Sequence, residues 1–138
     1  MAEARTLAPG RARGRSLVLD DPLSLWGGFD PATGRVIDPH HPQVGLVVTD
    51  RVLVMPTGRG SSSSSYVLAE AIRAGTAPAA IVLLDADPIL ALGAMVAEEL
   101  YGISVPVVVA DTATYAGIAT GRLFAVDAGP RGASIDRT

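Results

Sequence analysis

The sequence contains no cysteine, few aromatic residues and no long uninterrupted hydrophobic run. Without cysteine, the chain can form no disulfide and can hold no iron–sulfur cluster through thiolates of its own. Aromatic residues make up 4% of the 138 residues, whereas hydrophobic residues as a whole make up 49%. The core must therefore be built from Val, Leu, Ile and Ala, a composition that suits buried strands covered by apolar helices.

The charge balance and the missing apolar segments bear on partners and location. A formal net charge of -3 argues against a nucleic-acid surface, which needs clustered basic side chains. Residues 1–15 lack the apolar stretch of a signal peptide. The longest apolar run, Ile89 to Ala97, is interrupted by Gly93 and is too short to span a bilayer. We expect a cytoplasmic protein without nucleic-acid or membrane partners, folded as one domain over residues 1–138 with residues 1–6 flexible.

The middle of the chain alternates continuous apolar runs with segments of helical spacing. The apolar runs predict buried strands that end at Met55, Leu84 and Val109. The helical segments are expected over Tyr66–Arg73 and Pro88–Tyr101. Asp87 is a favourable N-cap for the second helix, and Pro88 suits its first position because the missing N–H would have no partner there. The series predicts an α/β fold with a parallel βαβαβ core and right-handed crossovers.

Further β structure is expected outside that alternation, over Ser16–Leu19, Val44–Val48 and Arg122–Val126. We expect the first two segments to form an additional N-terminal β layer. Residues 23–42 are rich in Gly, Pro, Asp and His, and a loop of that length is usually functional or internally packed. For its tryptophan, Trp26, a buried anchor and a wall of a site are equal alternatives. The His40–His41 pair is more typical of a solvated turn than of a ligand or an acid–base group.

The segment most informative about function is Pro-Thr-Gly-Arg-Gly-Ser-Ser-Ser-Ser-Ser, residues 56–65, between a strand end and a helix start. Its glycines allow a ligand to approach the backbone closely, and the N–H groups at a helix start favour an anion. Arg59 adds a cation. A serine here could be acylated, phosphorylated or used as a base, because each role needs stabilisation of negative charge near the Oγ atom.

Three other interpretations of this segment compete with that one. A run of five serines is by itself typical of a flexible linker, but this run is held directly between a strand and an amphipathic helix. A nucleotide-phosphate loop requires a lysine that the segment lacks. A nucleophile elbow requires Gly-x-Ser-x-Gly, which does not occur here.

The segment Gly58-Arg59-Gly60-Ser61-Ser62 resembles the Gly-Arg-Gly-Ser-Ser loop in the swivel domain of aconitases. The wider chain resembles the small, swivel-domain subunit of the aconitase X family. The blocks that carry the resemblance follow in order between residues 7 and 132; besides the serine loop they are residues 22–31, 33–38, 41–42, 75–81 and 87–94. The resemblance implies the swivelling β/β/α domain of aconitase type.

The resemblance also implies an activity, the dehydration of a hydroxy acid. In aconitases a serine alkoxide takes the proton α to a carboxylate while a metal centre draws off the hydroxyl group. The first serine after Gly-Arg-Gly is that base, and it matches Ser61, while Ser62 would hold the base or the substrate's carboxylate. The other substrate-binding candidates are Arg59, Gly60, Trp26 and Gly27.

By the same resemblance, the metal centre and most substrate contacts come from a large subunit. We therefore expect no cofactor on this chain, an Fe–S cluster or metal in the large subunit, and activity only when the two are together.

Two positions depart from the pattern of these families. True aconitases have Arg-Glu after the two serines, where the arginine grips a substrate carboxylate, whereas this chain has Ser63 and Ser64. A tricarboxylate substrate is therefore not expected. In the aconitase X small subunit a glycine often stands where this chain has Ser64, and a serine is tolerated there if its φ is negative.

The resemblance leaves two substrates open, cis-3-hydroxy-L-proline and mevalonate 5-phosphate, of which we favour the first. Helix starts bind carboxylate and phosphate alike, so the serine loop does not decide between them. The alternative from another class is a stand-alone swivel module that captures an anion without catalysis.

Overall fold

A computed structural model of the chain describes residues 2–138. The strands among them are β1 (Ala2–Ala8), β2 (Gly10–Val18), β3 (Phe29–Asp30), β4 (Arg35–Val36), β5 (Val52–Met55), β6 (Ala80–Leu83), β7 (Val107–Ala110), β8 (Leu123–Gly129) and β9 (Gly132–Arg137). The helices are α1 (Leu25–Gly28), α2 (Ser64–Ala74), α3 (Pro88–Tyr101) and α4 (Thr112–Ala116). The α1 segment is a single turn, and Trp26 and Gly27 within it have non-helical dihedral angles.

Seven strands close into a barrel in the order β1-β7-β6-β5-β2-β8-β9. Strands β2, β5, β6 and β7 run parallel to their neighbours within this group. Helix α2 connects β5 to β6 and α3 connects β6 to β7, which confirms the predicted βαβαβ core. The N-terminal strands add to this core by pairing directly with it, β1 with β7 and β2 with β5, so that all seven strands share one barrel.

The parallel strands are apolar throughout because both of their faces are covered. Successive side chains of a strand point to opposite faces. Leu53 and Met55 of β5 pack into a cluster with the helices, whereas Val52 and Val54 belong to a second cluster with residues of β8 and β9. This double burial explains why β5 shows a continuous apolar run instead of an alternating pattern.

The two long helices begin and end close to the predicted residues, and their ends explain why. Helix α3 begins at Pro88 after the Asp87 cap and ends before Gly102, which is left-handed with φ 68°. Helix α2 ends before Gly75, also left-handed with φ 80°, and begins two residues before the expected Tyr66. No helix within residues 2–138 is long and apolar enough to cross a membrane.

The N-terminal segment differs from the expectation of flexibility over residues 1–6. Met1 lies outside the described residues, and the rest of that segment belongs to β1, which pairs with β7 on one side and β9 on the other. The following strand β2 starts at Gly10, well before the predicted Ser16. Backbone hydrogen bonds from neighbours on both sides hold these strands, so they need no long apolar run of their own.

Two other β predictions need correction. Residues 44–48 form turns with one isolated bridge, between Arg35 and Val47, instead of a strand, and Gly45 with φ 92° interrupts the extended backbone there. The C-terminal strand β8 extends to Gly129 and returns as β9, which was not predicted. Phe29 and Val36 of the β3–β4 hairpin are buried, so the long loop is internally packed, as one of its two interpretations required.

Candidate functional site

The serine loop lies at the edge of the barrel where β5 and β6 both end. Because these strands are parallel, the loops that leave their carboxyl ends meet at one edge. The carbonyl oxygen of Pro56 accepts the N–H groups of Leu84 and Asp85 at 3.0 and 2.9 Å. A parallel bridge between Leu23 and Gly58 fastens the serine loop to the long N-terminal loop as well. The start of the serine loop is thus attached to the segment after β6 on one side and to the long N-terminal loop on the other.

A cavity of about 230 Å³ lies between the serine loop and the start of α3. One wall is the serine loop and the first residue of α2, and the other is the first turn of α3. The lining residues are Leu23, Thr57, Gly58, Arg59, Gly60, Ser61, Ser64, Ala86, Asp87, Pro88, Ile89 and Leu90. Of the site residues predicted from sequence, the structure therefore brings Arg59, Gly60 and Ser61 to one cavity.

The hydroxyl group of Ser61 is half-buried and is held by the backbone just before α2. Its Oγ accepts the N–H of Ser63 at 3.0 Å, and its carbonyl oxygen accepts the N–H of Ser64 at 3.0 Å. A backbone N–H aimed at an oxygen stabilises negative charge that develops there. The contact is therefore suited to an alkoxide at Ser61.

Three consecutive backbone N–H groups beside Ser61 are free to bind a ligand. Those of Gly60, Ser61 and Ser62 have no acceptor within residues 2–138. Gly60 makes this arrangement possible because its φ is 95°, and an added Cβ there would lie 2.7 Å from the Oγ of Ser24. Successive N–H groups around such a residue form a concavity that favours an anion.

Arg59 supplies positive charge at the rim of the cavity. Its side chain is exposed, and it has no carboxylate partner in the part of the chain that the structure describes. The guanidinium approaches the carbonyl oxygen of Pro22 at 3.5 Å, which is too long for a strong hydrogen bond. The backbone N–H of Arg59 donates to the Leu23 carbonyl at 3.3 Å. The backbone is thus anchored while the charged group remains available.

Asp87 forms the opposite wall, and sequence reasoning assigned it only to a helix cap. Its Oδ1 accepts the N–H of Ile89 at 2.9 Å and that of Leu90 at 3.4 Å. Its Oδ2 lies 2.2 Å from the point that a Cβ on Gly58 would occupy. The first glycine of the Gly-Arg-Gly motif therefore leaves room for this carboxylate. The available signal was that Asp87 follows β6, the neighbour of the strand that precedes the serine loop.

Three predicted substrate-binding residues do not line this cavity. Ser62 is exposed, and its carbonyl oxygen accepts the N–H and the hydroxyl of Ser65. Trp26 is 58% exposed, so the buried-anchor alternative is wrong, and a Cβ on Gly27 would meet nothing within 4 Å. The Trp26 backbone nevertheless contacts the site, because its N–H donates to the Oγ of Ser64 at 3.3 Å. Roles for these three residues stay predictions.

Ser64 lines the cavity although sequence reasoning treated it only as a departure. It is the first residue of α2, it is 4% exposed, and it is absent from the residues with positive φ. A serine at this position is therefore accommodated without backbone strain.

The two histidines form a structural turn instead of a reactive pair. His41 is buried, contrary to the expected solvated turn. Its Nδ1 accepts the N–H of Gln43 at 3.0 Å, which leaves Nε2 to donate to the Asp21 carbonyl at 3.0 Å. Within residues 2–138, no three His, Asp or Glu side chains come together in a group that could hold a metal ion.

The barrel with crossover helices and the serine loop between β5 and α2 define a swivel-type α/β domain. The family model for the aconitase X swivel domain matches residues 1–135, and the chain belongs to that family.

Similar proteins with solved structures or curated functions agree with this assignment. The chain is similar to cis-3-hydroxy-L-proline dehydratase of Pseudomonas aeruginosa, with 53% identity over 75% of this chain and 18% of that protein. It is similar to the phosphomevalonate dehydratase small subunit of Methanothermobacter thermautotrophicus, with 47% identity over 69% of this chain and 72% of that one. The crystal structure of Thermococcus kodakaraensis aconitase X in its holo-form superposes with a TM-score of 0.84 at 32% identity, over 98% of this chain and 97% of that chain.

The curated relatives are dehydratases of different lengths. This chain spans about a fifth of the hydroxyproline dehydratases that it matches, 18% and 20% in two cases. It spans 72% of the archaeal small subunit. The chain therefore belongs to a family whose curated relatives are dehydratases.

Proposed function

We propose that this chain is the catalytic swivel subunit of an aconitase X-type hydro-lyase, in which Ser61 accepts the proton α to the substrate's carboxylate. The observation that carries the proposal is the environment of the Ser61 hydroxyl. Its Oγ receives the N–H of Ser63 at the rim of a cavity. Serine is a poor base unless its alkoxide is stabilised, and this N–H supplies such stabilisation.

In this proposal, the groups around Ser61 bind the substrate, and Ser61 itself accepts the proton. The N–H groups of Gly60, Ser61 and Ser62 and the guanidinium of Arg59 bind the substrate's carboxylate, since all four are donors without a protein acceptor of strong geometry within residues 2–138. Ser61 as alkoxide then takes the α proton. Trp26 and Gly27 stand outside the cavity and would meet the substrate only once a partner closes the site.

The chain's own side chains do not fit an iron–sulfur cluster or a metal site. It has no cysteine, and its described residues bring no three potential ligands together. An Fe–S cluster or metal in the large subunit would supply the Lewis acid that draws off the hydroxyl group. The part of the reaction that this chain performs is the binding of the carboxylate and the transfer of the proton to Ser61.

An exposed apolar groove supports a large-subunit partner. The groove lies between α2 and α3 directly after the serine loop and has a volume of about 230 Å³. Tyr66 and Leu100 on its walls are 75% and 65% exposed. Large exposed apolar patches mark interaction sites. This groove begins at Ser65, directly after the cavity-lining Ser64, so a partner bound in it would also lie beside the cavity. The archaeal relative is itself named a small subunit. A cytoplasmic location accords with such an assembly and stays a prediction.

The substrate that we favour is cis-3-hydroxy-L-proline. The relative named for that activity has 53% identity over 75% of this chain, against 47% over 69% for the phosphomevalonate relative. Mevalonate 5-phosphate remains the second candidate, because three unpaired N–H groups and an arginine suit a phosphate as well as a carboxylate.

The test is dehydration by this chain combined with an aconitase X-type large subunit from the same organism, with each of the two substrates. Ser61→Ala should lower kcat by several orders of magnitude, because the change removes a group required in the transition state. Ser63→Ala should have a small effect, since only the Ser63 backbone contacts Ser61. The free energy of unfolding should change by about 1 kcal/mol or less in either variant.

The comparison is made at matched cluster content, so that a difference in turnover reports on the serine. Equal turnover in the two variants would remove Ser61 from the role of base. Binding of the substrate without turnover by the complete complex would instead favour the anion-binding module. Turnover of mevalonate 5-phosphate alone would keep the hydro-lyase and replace the favoured substrate.

A further inference from the structure

Ser64 is an unusual residue in this fold because its hydroxyl group is buried. Three polar residues within residues 2–138 are buried as whole residues: Ser16, His41 and Ser64. The first two bind backbone groups of residues that do not line the cavity: Ser16 donates to the carbonyl oxygen of Ala119, and His41 to that of Asp21. A buried hydroxyl group is costly unless it is hydrogen-bonded, so the partner of Ser64 indicates its role.

The partner of Ser64 is the backbone of the Trp26 turn. The Oγ of Ser64 accepts the Trp26 N–H at 3.3 Å across 38 positions of sequence. Trp26 is the second residue of α1, and the first four N–H groups of a helix have no carbonyl acceptor within it, so this N–H needs a partner from elsewhere. The Trp26 carbonyl oxygen is bound by the nearby Ser24 hydroxyl at 3.0 Å. Ser64 therefore supplies the long-range tie that holds this turn to α2.

The same side chain lines the cavity beside Ser61. Since its Oγ accepts from Trp26, its own hydroxyl proton remains to be donated, and it has no acceptor within residues 2–138. Ser64 thus faces the turn on one side and the cavity on the other. We propose that Ser64 is a positioning residue that fixes the Trp26 turn against the serine loop and thereby sets the wall of the cavity next to Ser61. Its kinetic consequence rests on the function proposed for Ser61; its structural consequence does not.

The structural consequence is measured by amide hydrogen exchange at Trp26 in the full chain, followed by NMR. Ser64→Ala removes the acceptor and should accelerate exchange of the Trp26 amide about fivefold, the factor that corresponds to loss of one ordinary hydrogen bond. Ser64→Gly, a second way to remove the hydroxyl group, should give the same increase. Ser104→Ala, an exposed serine on another part of the surface, is the matched control and should leave that rate unchanged.

The kinetic consequence is measured in the complex with the large subunit. Ser64→Ala should raise KM about fivefold with kcat nearly unchanged, because the change loosens binding equally in the ground and transition states. Unchanged exchange at Trp26 in both Ser64 variants would overturn the positioning role whatever the enzyme does. Faster exchange with unchanged KM would overturn the link to the cavity. Full activity of Ser61→Ala would refute the proposed base while leaving the exchange result intact, so the two failures are distinguishable.

Discussion

Helices α2 and α3 begin on opposite walls of the same cavity, and their first turns are built in opposite ways. At α3, Pro88 has no N–H, and the Asp87 carboxylate accepts the next two N–H groups. At α2, Ser63 occupies the cap position but its side chain makes no capping hydrogen bond. The N–H groups that precede it, from Gly60 to Ser62, have no protein acceptor among the described residues.

The N–H groups of Ser64 and Ser65 in the first turn of α2 donate to the carbonyl oxygens of Ser61 and Ser62, so the donors available to an anion on this side are those of the loop before the helix. The partial positive charge at a helix start resides in unpaired N–H groups. The Asp87-Pro88 pair uses the donors of α3 internally and places a carboxylate there. The Gly-Arg-Gly-Ser sequence leaves the donors before α2 open and adds the Arg59 cation. A ligand carboxylate or phosphate is therefore expected on the α2 side, with Asp87 limiting its approach to the other wall.

The serine loop before α2 also lies close against the start of α3, and Gly58 is the residue that permits this approach. Gly58→Ala would place a Cβ 2.2 Å from the Asp87 Oδ2 and 3.1 Å from the Leu90 Cδ1. Such overpacking should destabilise the fold by about 1–3 kcal/mol, measured by urea unfolding, and should lower turnover of the complex. Gly117→Ala is the matched control, because its nearest neighbours to a Cβ lie at 3.6 Å and its φ is -84°.

A double variant shows whether this contact accounts for the effect. Gly58→Ala combined with Asp87→Ala removes the overlapping carboxylate. The loss of unfolding free energy in the double variant should therefore be smaller than the sum of the losses in the two single variants. Simple additivity, or a Gly58→Ala variant as stable as Gly117→Ala, would contradict the proposed contact between the walls.

A smaller effect is expected from the caps themselves. Asp87→Ala removes the acceptor for the N–H groups of Ile89 and Leu90 and should reduce the free energy of unfolding by about 1 kcal/mol. Ser63→Ala should leave it nearly unchanged, because the Ser63 side chain caps nothing. Asp87→Asn retains a good cap and should lie close to the native protein. Equal losses for Asp87→Ala and Ser63→Ala would abolish the distinction between the two helix starts.

The sequence predicted the regions whose information is local. The βαβαβ core followed from continuous apolar runs, and the limits of α3 followed from Asp87, Pro88 and Gly102. Strands β1 and β2 were not recognised over most of their length because charged residues alternate there with Ala and Gly. That alternation fits a strand only when partners are known, and β2 depends on both β5 and β8. At Gly14 the backbone of the neighbouring segment approaches so closely that a Cβ would lie 2.6 Å from the Asp50 carbonyl oxygen.

The residues of the site also fall into those that local sequence predicts and those that depend on distant contacts. Arg59, Gly60 and Ser61 lie in one short motif, and the structure brings them to one cavity. Asp87 and Ser64 act through contacts with Gly58 and Trp26, which are distant in sequence from their partners. Those contacts depend on strand order and on the path of the long N-terminal loop, and local patterns contain neither. Asp87 and Ser64, whose place in the site the sequence did not predict, are therefore residues that connect segments distant in sequence.

The smallest expected effect is the pH dependence of stability that arises from the Asp111 cap at the start of α4. Asp111 caps α4 by accepting the Thr114 N–H at 2.7 Å. This hydrogen bond, together with one from the Thr114 side chain, holds the pKa of the Asp111 carboxyl below its ordinary value. A carboxyl whose pKa is lower in the folded state contributes stability above its unfolded pKa and loses it as the pH falls through the folded pKa. The native protein should therefore be slightly more stable than Asp111→Asn at pH 7, and the difference should disappear as the pH falls through the lowered pKa of the folded Asp111 carboxyl. Urea unfolding of both proteins at several pH values measures this, and subtracting one from the other cancels the titration of the remaining carboxylates. A difference that stayed constant with pH would show that the Asp111 cap acts through geometry alone, as an uncharged asparagine would.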